Sequence, residues 1–289
     1  MLQEAKDLQQ RAVRELLQKV NGTKRELTFR APTGSGKTRM MADFMNHILA
    51  THDDVVFLVS TLSKGGLAQQ NYEVFKDCAD KGIFPNLDPY LINTEVSGEE
   101  TLFIPDDHNV YVLPRDLFKK NGRLMQGPMT NFLLTMTEDY FGKGKKKKIY
   151  LVKDECHQAT NNLDAISEKV FTKILNFSAT PNLRRGQMPD VQITDEEAVQ
   201  ANLIKRVELY DDETFTVEDA LQKFEEVKEG YRNLLGVNPC LIIQISNKQK
   251  AEEEWNEKIK PALDGHQDLK CIFFVISAPI IKTGFFHLL

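Results

Sequence analysis

Eight consecutive residues, Ala31-Pro32-Thr33-Gly34-Ser35-Gly36-Lys37-Thr38, have the types and order that hold a polyphosphate. Glycines at 34 and 36 let backbone N–H groups close on an anion with no Cβ in the way. A helix that opens near Lys37 aims the positive end of its dipole at the same anion. Lys37 is a point charge for the terminal phosphates, and the Thr38 hydroxyl is a ligand for Mg²⁺. The strict pattern has glycine where this chain has Ala31. Thr33, Gly34, Ser35, Gly36, Lys37 and Thr38 are therefore the candidate nucleotide-binding residues, with ATP and Mg²⁺ as the candidate cofactors.

A second group, Asp154-Glu155-Cys156-His157, closes the apolar run Ile149 to Val152. In an open parallel sheet, ligands bind beyond the carboxyl ends of the strands. Asp154 there suits the water shell of Mg²⁺, and Glu155 suits orienting or deprotonating an attacking water. Alone, an acidic dipeptide at a strand end is as readily solvated surface; the phosphate loop upstream tips the balance. Lys153 interrupts the apolar run, and Cys156 reads as a small turn residue. A third group, Ser178-Ala179-Thr180-Pro181, follows another apolar run. Its hydroxyls either cap the next element or hydrogen-bond toward His157 and transmit nucleotide state, and spacing alone favours the cap. Lys37, Asp154 and Glu155 are the candidate catalytic residues, Thr38 and Asp154 the candidate Mg²⁺ side, and His157, Ser178 and Thr180 the candidate coupling residues.

The elements that must position these groups alternate. Apolar residues from Ala5 to Val20 fall at helical spacing, ended by Asn21-Gly22. Leu27–Arg30, Val55–Ser60, Asn109–Leu113, Ile149–Val152 and Ile174–Phe177 read as strands. Helices follow the phosphate loop and run through Leu67, Tyr72 and Phe75. This alternation predicts an α/β, doubly wound parallel sheet. Residues 81–108 read as loop with a weak strand, and 181–190 as an exit loop. A boundary near 205 divides a domain of residues 1–205 from a second unit, 206–289. That unit is expected to begin with strands at Val207–Tyr210, Cys240–Ile245 and Cys271–Ile276, and helices at 217–234 and 249–259.

Composition fits a globular protein: 41% hydrophobic and 27% charged residues are ordinary proportions. The net charge of −5 excludes a uniformly basic surface, while leaving room for a local basic groove. Cys78, Cys156, Cys240 and Cys271 form no CxxC pair, which argues against a zinc site or a disulfide framework and suits a cytoplasmic location. The longest nearly apolar run, Cys271 to Ile281, is shorter than the ~20 residues that span a bilayer. Lysines at 143 and 145–148 precede the Asp154 strand; such a run is ordinarily a solvated loop, with contact to DNA phosphates as the alternative.

Taken in order, GSGKT, DECH and SAT resemble motifs I, II and III of superfamily-two helicases and translocases. The resemblance covers about residues 1–205 and implies a RecA-like first motor domain. It places a nucleic-acid-contacting motif Ia at Val59–Leu62 and Gln69-Gln70, and an adenine-reading glutamine at Gln10, with Gln9 an equal candidate. More narrowly, FSATPNLRRGQMPDVQITDEEAVQANLIKRVEL resembles the Res subunit of type III restriction-modification enzymes, where such a segment joins two motor domains. Pro239 to Lys248 resembles the opening of the second motor domain. This resemblance implies an ATP-driven machine on double-stranded DNA, partnered by a site-reading Mod methyltransferase subunit.

The second unit departs from the family. Only Arg206 and Arg232 follow residue 205, and neither stands in the QxxGRxxR pattern that supplies arginines across the ATP cleft. Glu226-Val227-Lys228 has the ExK spacing of a nuclease but sits on an amphipathic helix. The tail SAPIIKTGFFHLL ceases to resemble a motor domain, as in a truncated or frameshifted reading frame. The second RecA-like unit is therefore expected to be incomplete. A helicase outside restriction, or a nucleotide-binding remnant without turnover, are the alternative readings. Kinases and GTPases explain neither DECH nor SAT.

Overall fold

The computed structural model describes residues 3–62, 66–92, 104–114, 128–137, 146–155, 170–205, 216–236, 240–243, 251–264 and 266. The chain divides into two compact units, Met1–Arg206 and Val207–Leu289.

The first unit is built on seven strands: β1 (Glu26–Arg30), β2 (Val55–Thr61), β3 (Pro89–Leu91), β4 (Val110–Pro114), β5 (Lys148–Asp154), β6 (Phe171–Ser178) and β7 (Val191–Gln192). They form one sheet in the order β3-β4-β2-β5-β6-β1-β7, and every described pair is parallel. Helices α1 (Gln3–Val20), α2 (Lys37–Leu49), α3 (Leu67–Asp80), α4 (Pro128–Thr137) and the short α5 (Asp195–Gln200) accompany it.

The sheet is buried on both faces, and strand alternation sorts its side chains into two cores. Val55, Phe57, Val59, Val110, Val112, Tyr150 and Val152 join Leu16, Met41, Phe44 and Phe75 of α1, α2 and α3. Val56, Leu58, Tyr111, Leu113, Ile149 and Leu151 join Met129, Phe132, Leu133 and Met136 of α4. Every residue of β2 is buried, as a central parallel strand requires. The expected doubly wound α/β sheet is therefore present, with β3 as the short strand foreseen within 81–108. Three elements were not foreseen: β7, which extends the sheet beside β1, and helices α4 and α5.

Residues 190–205 are tied back to the sheet and α1. Thr194 caps α5 by accepting from the Glu197 amide at 3.1 Å, while Glu197 Oε2 accepts from the Thr194 amide at 2.9 Å. Arg11 of α1 meets Glu197 at 2.6 Å, Arg30 meets Asp195 at 3.1 Å, and Lys24 meets Asp190 at 2.5 Å.

In the second unit the described residues carry helices: α6 (Val217–Leu235), then α7, which runs from Ala251 through a π-helical turn at Trp255–Ile259 to Leu263. Cys240–Ile243 stand in no ladder, contrary to the strand expected there; a strand is stable only with a hydrogen-bonded neighbour, and none is present among the described residues. The expected strands at Val207–Tyr210 and Cys271–Ile276 lie outside the described residues. Among the described residues no helix is long and apolar enough to cross a membrane.

Candidate nucleotide-binding site

Sheet order, more than sequence distance, assembles this site. β6 lies beside β1, with Ser178 paired to Arg30, and β5 lies beside β6, with Asp154 paired to Phe177. The ladder continues one step past β1, where the Ala31 amide donates to the Ser178 carbonyl at 3.2 Å. The phosphate loop, Asp154 and Ser178 thus leave the same carboxyl edge side by side. Adjacent strands are ~4.8 Å apart, so loop and carboxylate are separated by about two strand widths.

The loop has the backbone its sequence demands. Gly34 and Gly36 both hold φ of 82°, a region that L side chains avoid, and Gly36 caps the start of α2. Lys37 is 9% exposed, its Nζ lying 3.4 Å from the carbonyl oxygens of Ala31 and Pro32 and 3.8 Å from Glu155 Oε1. Ser35 Oγ is fully buried with no hydrogen-bond partner among the described residues. A buried cation beside neutral carbonyls and an unmatched buried hydroxyl, in a glycine-turned loop that opens a helix, suit an anionic ligand.

Asp154 is buried, and Asn71 of α3 donates to its Oδ2 at 2.9 Å. Burial pushes the Asp154 carboxyl above its ordinary range and Glu155 adds to that, while Asn71 and Lys37 oppose the rise. Thr38 Oγ1 donates to Asn71 Oδ1 at 3.4 Å, so one amide bridges the Thr38 hydroxyl and the Asp154 carboxylate. Glu155 follows at φ 53°, a left-handed turn uncommon outside glycine and asparagine, which bends the chain off the end of β5 beside Lys37. The residues fit a Mg²⁺–nucleotide: hydroxyl and carboxylate oxygens for a hard cation, and a lysine and loop amides for phosphates.

The structure also places the other sequence candidates. Ser178 Oγ accepts from the Thr180 amide at 3.1 Å, a local turn cap, and Ala179 O accepts from Arg30 Nε at 3.3 Å. His157 and Cys156 lie outside the described residues, so the His157 side of the coupling set does as well. Of the two glutamines, Gln9 is buried and donates to the Ser35 carbonyl at 2.8 Å, whereas Gln10 is exposed. Both line a groove of about 500 Å³ between α1 and α2, with Arg14, Arg39, Met40 and Phe84. Arg39 stands 5.6 Å over the Phe84 ring. The burial of Gln9 was readable in the sequence, because position 9 falls on the stripe of Ala5, Val13 and Leu16 and position 10 does not. Asn71 was missed; its signal is one polar residue in the otherwise apolar stripe Ala68, Phe75 and Cys78.

The lysine run belongs elsewhere. Lys148 opens β5 and pairs with Asp54 at 2.8 Å, and Lys147 donates to the Asp53 carbonyl at 2.5 Å. Both sit where β2 and β5 begin, at the sheet edge opposite the phosphate loop. Lys143 and Lys145 lie outside the described residues. No group of three His, Cys, Asp or Glu side chains among the described residues could hold a metal by itself.

Three solved structures resemble the chain at low identity. The UvsW helicase from bacteriophage T4 is 15% identical with a TM-score of 0.39, over 58% of this chain and 51% of that one. A nuclease-deletion mutant of the type ISP restriction-modification enzyme LlaGI, in complex with a DNA substrate mimic, is 11% identical with a TM-score of 0.41, over 78% of this chain and 22% of that one. Dbp5 of S. cerevisiae, bound to Nup159, Gle1, IP6 and ADP, is 17% identical with a TM-score of 0.45, over 95% of this chain and 65% of that one. In each case the chain spans less than two thirds of the other's length. No curated protein sequence matches. The family model described as "Type III restriction enzyme, res subunit" matches residues 3–183, the stretch that holds the phosphate loop, Asp154-Glu155 and Ser178-Ala179-Thr180. The chain belongs to that family.

Proposed function

We propose that this chain is the ATP-binding motor part of a DNA translocase, a Res-type subunit that works on double-stranded DNA beside a Mod-type methyltransferase subunit. The observation that carries the reading is the meeting of Lys37 and Thr38 of α2 with Asp154 and Glu155 at the end of β5, with Lys37 Nζ 3.8 Å from Glu155 and Asn71 of α3 bonded to both Thr38 and Asp154. Family membership supports the restriction assignment.

In this reading the Gly34, Ser35 and Gly36 amides and Lys37 hold the phosphates, with Thr33 at the loop's shoulder. The base lies in the groove of Gln9, Gln10 and Arg39. Thr38 and Asp154 would hold Mg²⁺, which would supply charge neutralisation to the transferring phosphoryl group. Glu155 orients the attacking water and takes its proton. Ser178 and Thr180 stiffen the turn after β6, and His157 links that turn to nucleotide state.

The test is ATP turnover by residues 1–289 with and without duplex DNA. Turnover stimulated by DNA and abolished by Lys37→Ala and Glu155→Gln is expected. Unchanged DNA-stimulated turnover in Glu155→Gln would remove Glu155 from its role. Stimulation by RNA but not by DNA would point to a helicase outside restriction. Lys37-dependent nucleotide binding with no turnover under any condition would leave a nucleotide-binding remnant.

A further inference from the structure

Helix α3 faces the sheet through Ala68, Asn71, Phe75 and Cys78, all buried. Three of these are apolar or nearly so. Asn71 is the exception, and at 3% exposure its amide is unfavourable unless it is bonded. A leucine would fit the stripe better by hydrophobicity alone, so the amide's value has to lie in what it bonds.

Both of its bonds go to the metal side of the site. Nδ2 donates to Asp154 Oδ2 at 2.9 Å, and Oδ1 accepts from Thr38 Oγ1 at 3.4 Å. The amide's orientation follows from the partners. An ionised carboxylate only accepts, so the NH₂ end faces Asp154 and the oxygen faces Thr38. Thr38 has one hydroxyl proton and commits it to that oxygen. Its lone pairs then remain for a hard cation, which takes oxygen ligands through their lone pairs. One side chain on a third element thus sets the hydroxyl rotor of α2 and the carboxylate rotamer at the end of β5 together.

From this geometry we propose that Asn71 is a positioning residue for Mg²⁺, holding Thr38 and Asp154 in ligand-ready orientation without touching metal or nucleotide. The inference rests on the assignment of Thr38 and Asp154 to the metal made above. Groups that orient metal ligands characteristically cost 10–100-fold in metal affinity or activity when removed.

The test is calorimetric binding of a non-hydrolysable ATP analogue to the full chain, in EDTA and in Mg²⁺, for wild type, Asn71→Leu and Asn71→Ala. The wild type is expected to bind more tightly with Mg²⁺. In Asn71→Leu, binding in EDTA should stay close to wild type, while the strengthening by Mg²⁺ falls about tenfold or disappears. Asn71→Ala should lose the same strengthening, and it carries the test if the leucine variant does not fold. An unchanged Mg²⁺ effect in a folded variant overturns the inference and leaves the nucleotide site intact. Equal weakening in EDTA and in Mg²⁺ overturns it too, because Asn71 would then only support the fold. If the wild type binds the analogue in neither condition, the assignment of the site itself fails, and the Asn71 inference with it.

Discussion

Replacing Gly36 by alanine should destabilise the first unit by two separable effects. The first is backbone strain: φ is 82°, and a left-handed L residue costs about 1–2 kcal/mol. The second is a collision. A Cβ built on Gly36 lies 2.6 Å from Gln9 Nε2, so the Gln9 side chain must swing away and lose its 2.8 Å bond to the Ser35 carbonyl. Such a bond is worth about 1 kcal/mol net. Gly34 is the control, because it shares the φ of 82° but its Cβ would meet only Ile204 Cγ2, at 3.9 Å. Gly36→Ala should therefore cost about 2–3 kcal/mol and Gly34→Ala about 1–2 kcal/mol. At about 2–4 °C per kcal/mol for a domain of this size, Gly36→Ala should lower Tm by roughly 4–12 °C. Urea unfolding of Gly36→Ala, Gln9→Ala and the double variant completes a cycle. The double variant should be about 1 kcal/mol less damaged than the sum of the singles, since the bond is lost only once. Equal costs at 34 and 36, together with strict additivity of Gln9→Ala and Gly36→Ala, would refute the placement of Gln9 against the loop.

Two further outcomes follow from charges outside the site. The Arg11 hydrogen bond holds the Glu197 carboxyl below its ordinary range. A depressed folded pKa gives stability that is present above the unfolded value, ~4.3, and is lost as pH falls through the folded value. The stability difference between wild type and Arg11→Met should thus be larger at pH 6 than at pH 3, and no more than about 1 kcal/mol at a partly exposed pair; a pH-independent difference would contradict the pairing. Lys147 and Lys148 have partners in Asp53 and Asp54 at the edge away from the phosphate loop. Changing both to alanine should leave the salt dependence of duplex binding unaltered, whereas a shallower slope would show that they contact phosphates.

Much of this protein is local chemistry and therefore legible in one dimension. The phosphate loop needs glycines at 34 and 36, and the structure puts both at positive φ, because only a residue without Cβ takes that turn at no cost. Continuous apolar runs such as Val55–Ser60 announced strands buried on both faces, and those strands are the centre of the sheet. The capping box at Thr194 and Glu197 can be written down from residue types at fixed spacing, although its helix was passed over as linker. What sequence could not decide is order across the sheet. That β6 inserts between β1 and β5 depends on long-range pairing, and it alone sets how far Lys37 lies from Glu155. The bonding partners of Gln9 and Asn71 were hidden for the same reason. Each is a polar residue on an apolar helical stripe, and what such a residue bonds is fixed by the elements packed against it. The lysine run left two readings open in sequence, a solvated loop or a contact to DNA phosphates, and sheet topology carries Lys147 and Lys148 to the edge opposite the phosphate loop. Sequence determined the chemical parts and their local conformations, since these depend on neighbours a few residues away. Tertiary structure decided which parts meet, because those contacts join residues far apart in the chain, from Gln9 with Ser35 to Lys37 with Glu155.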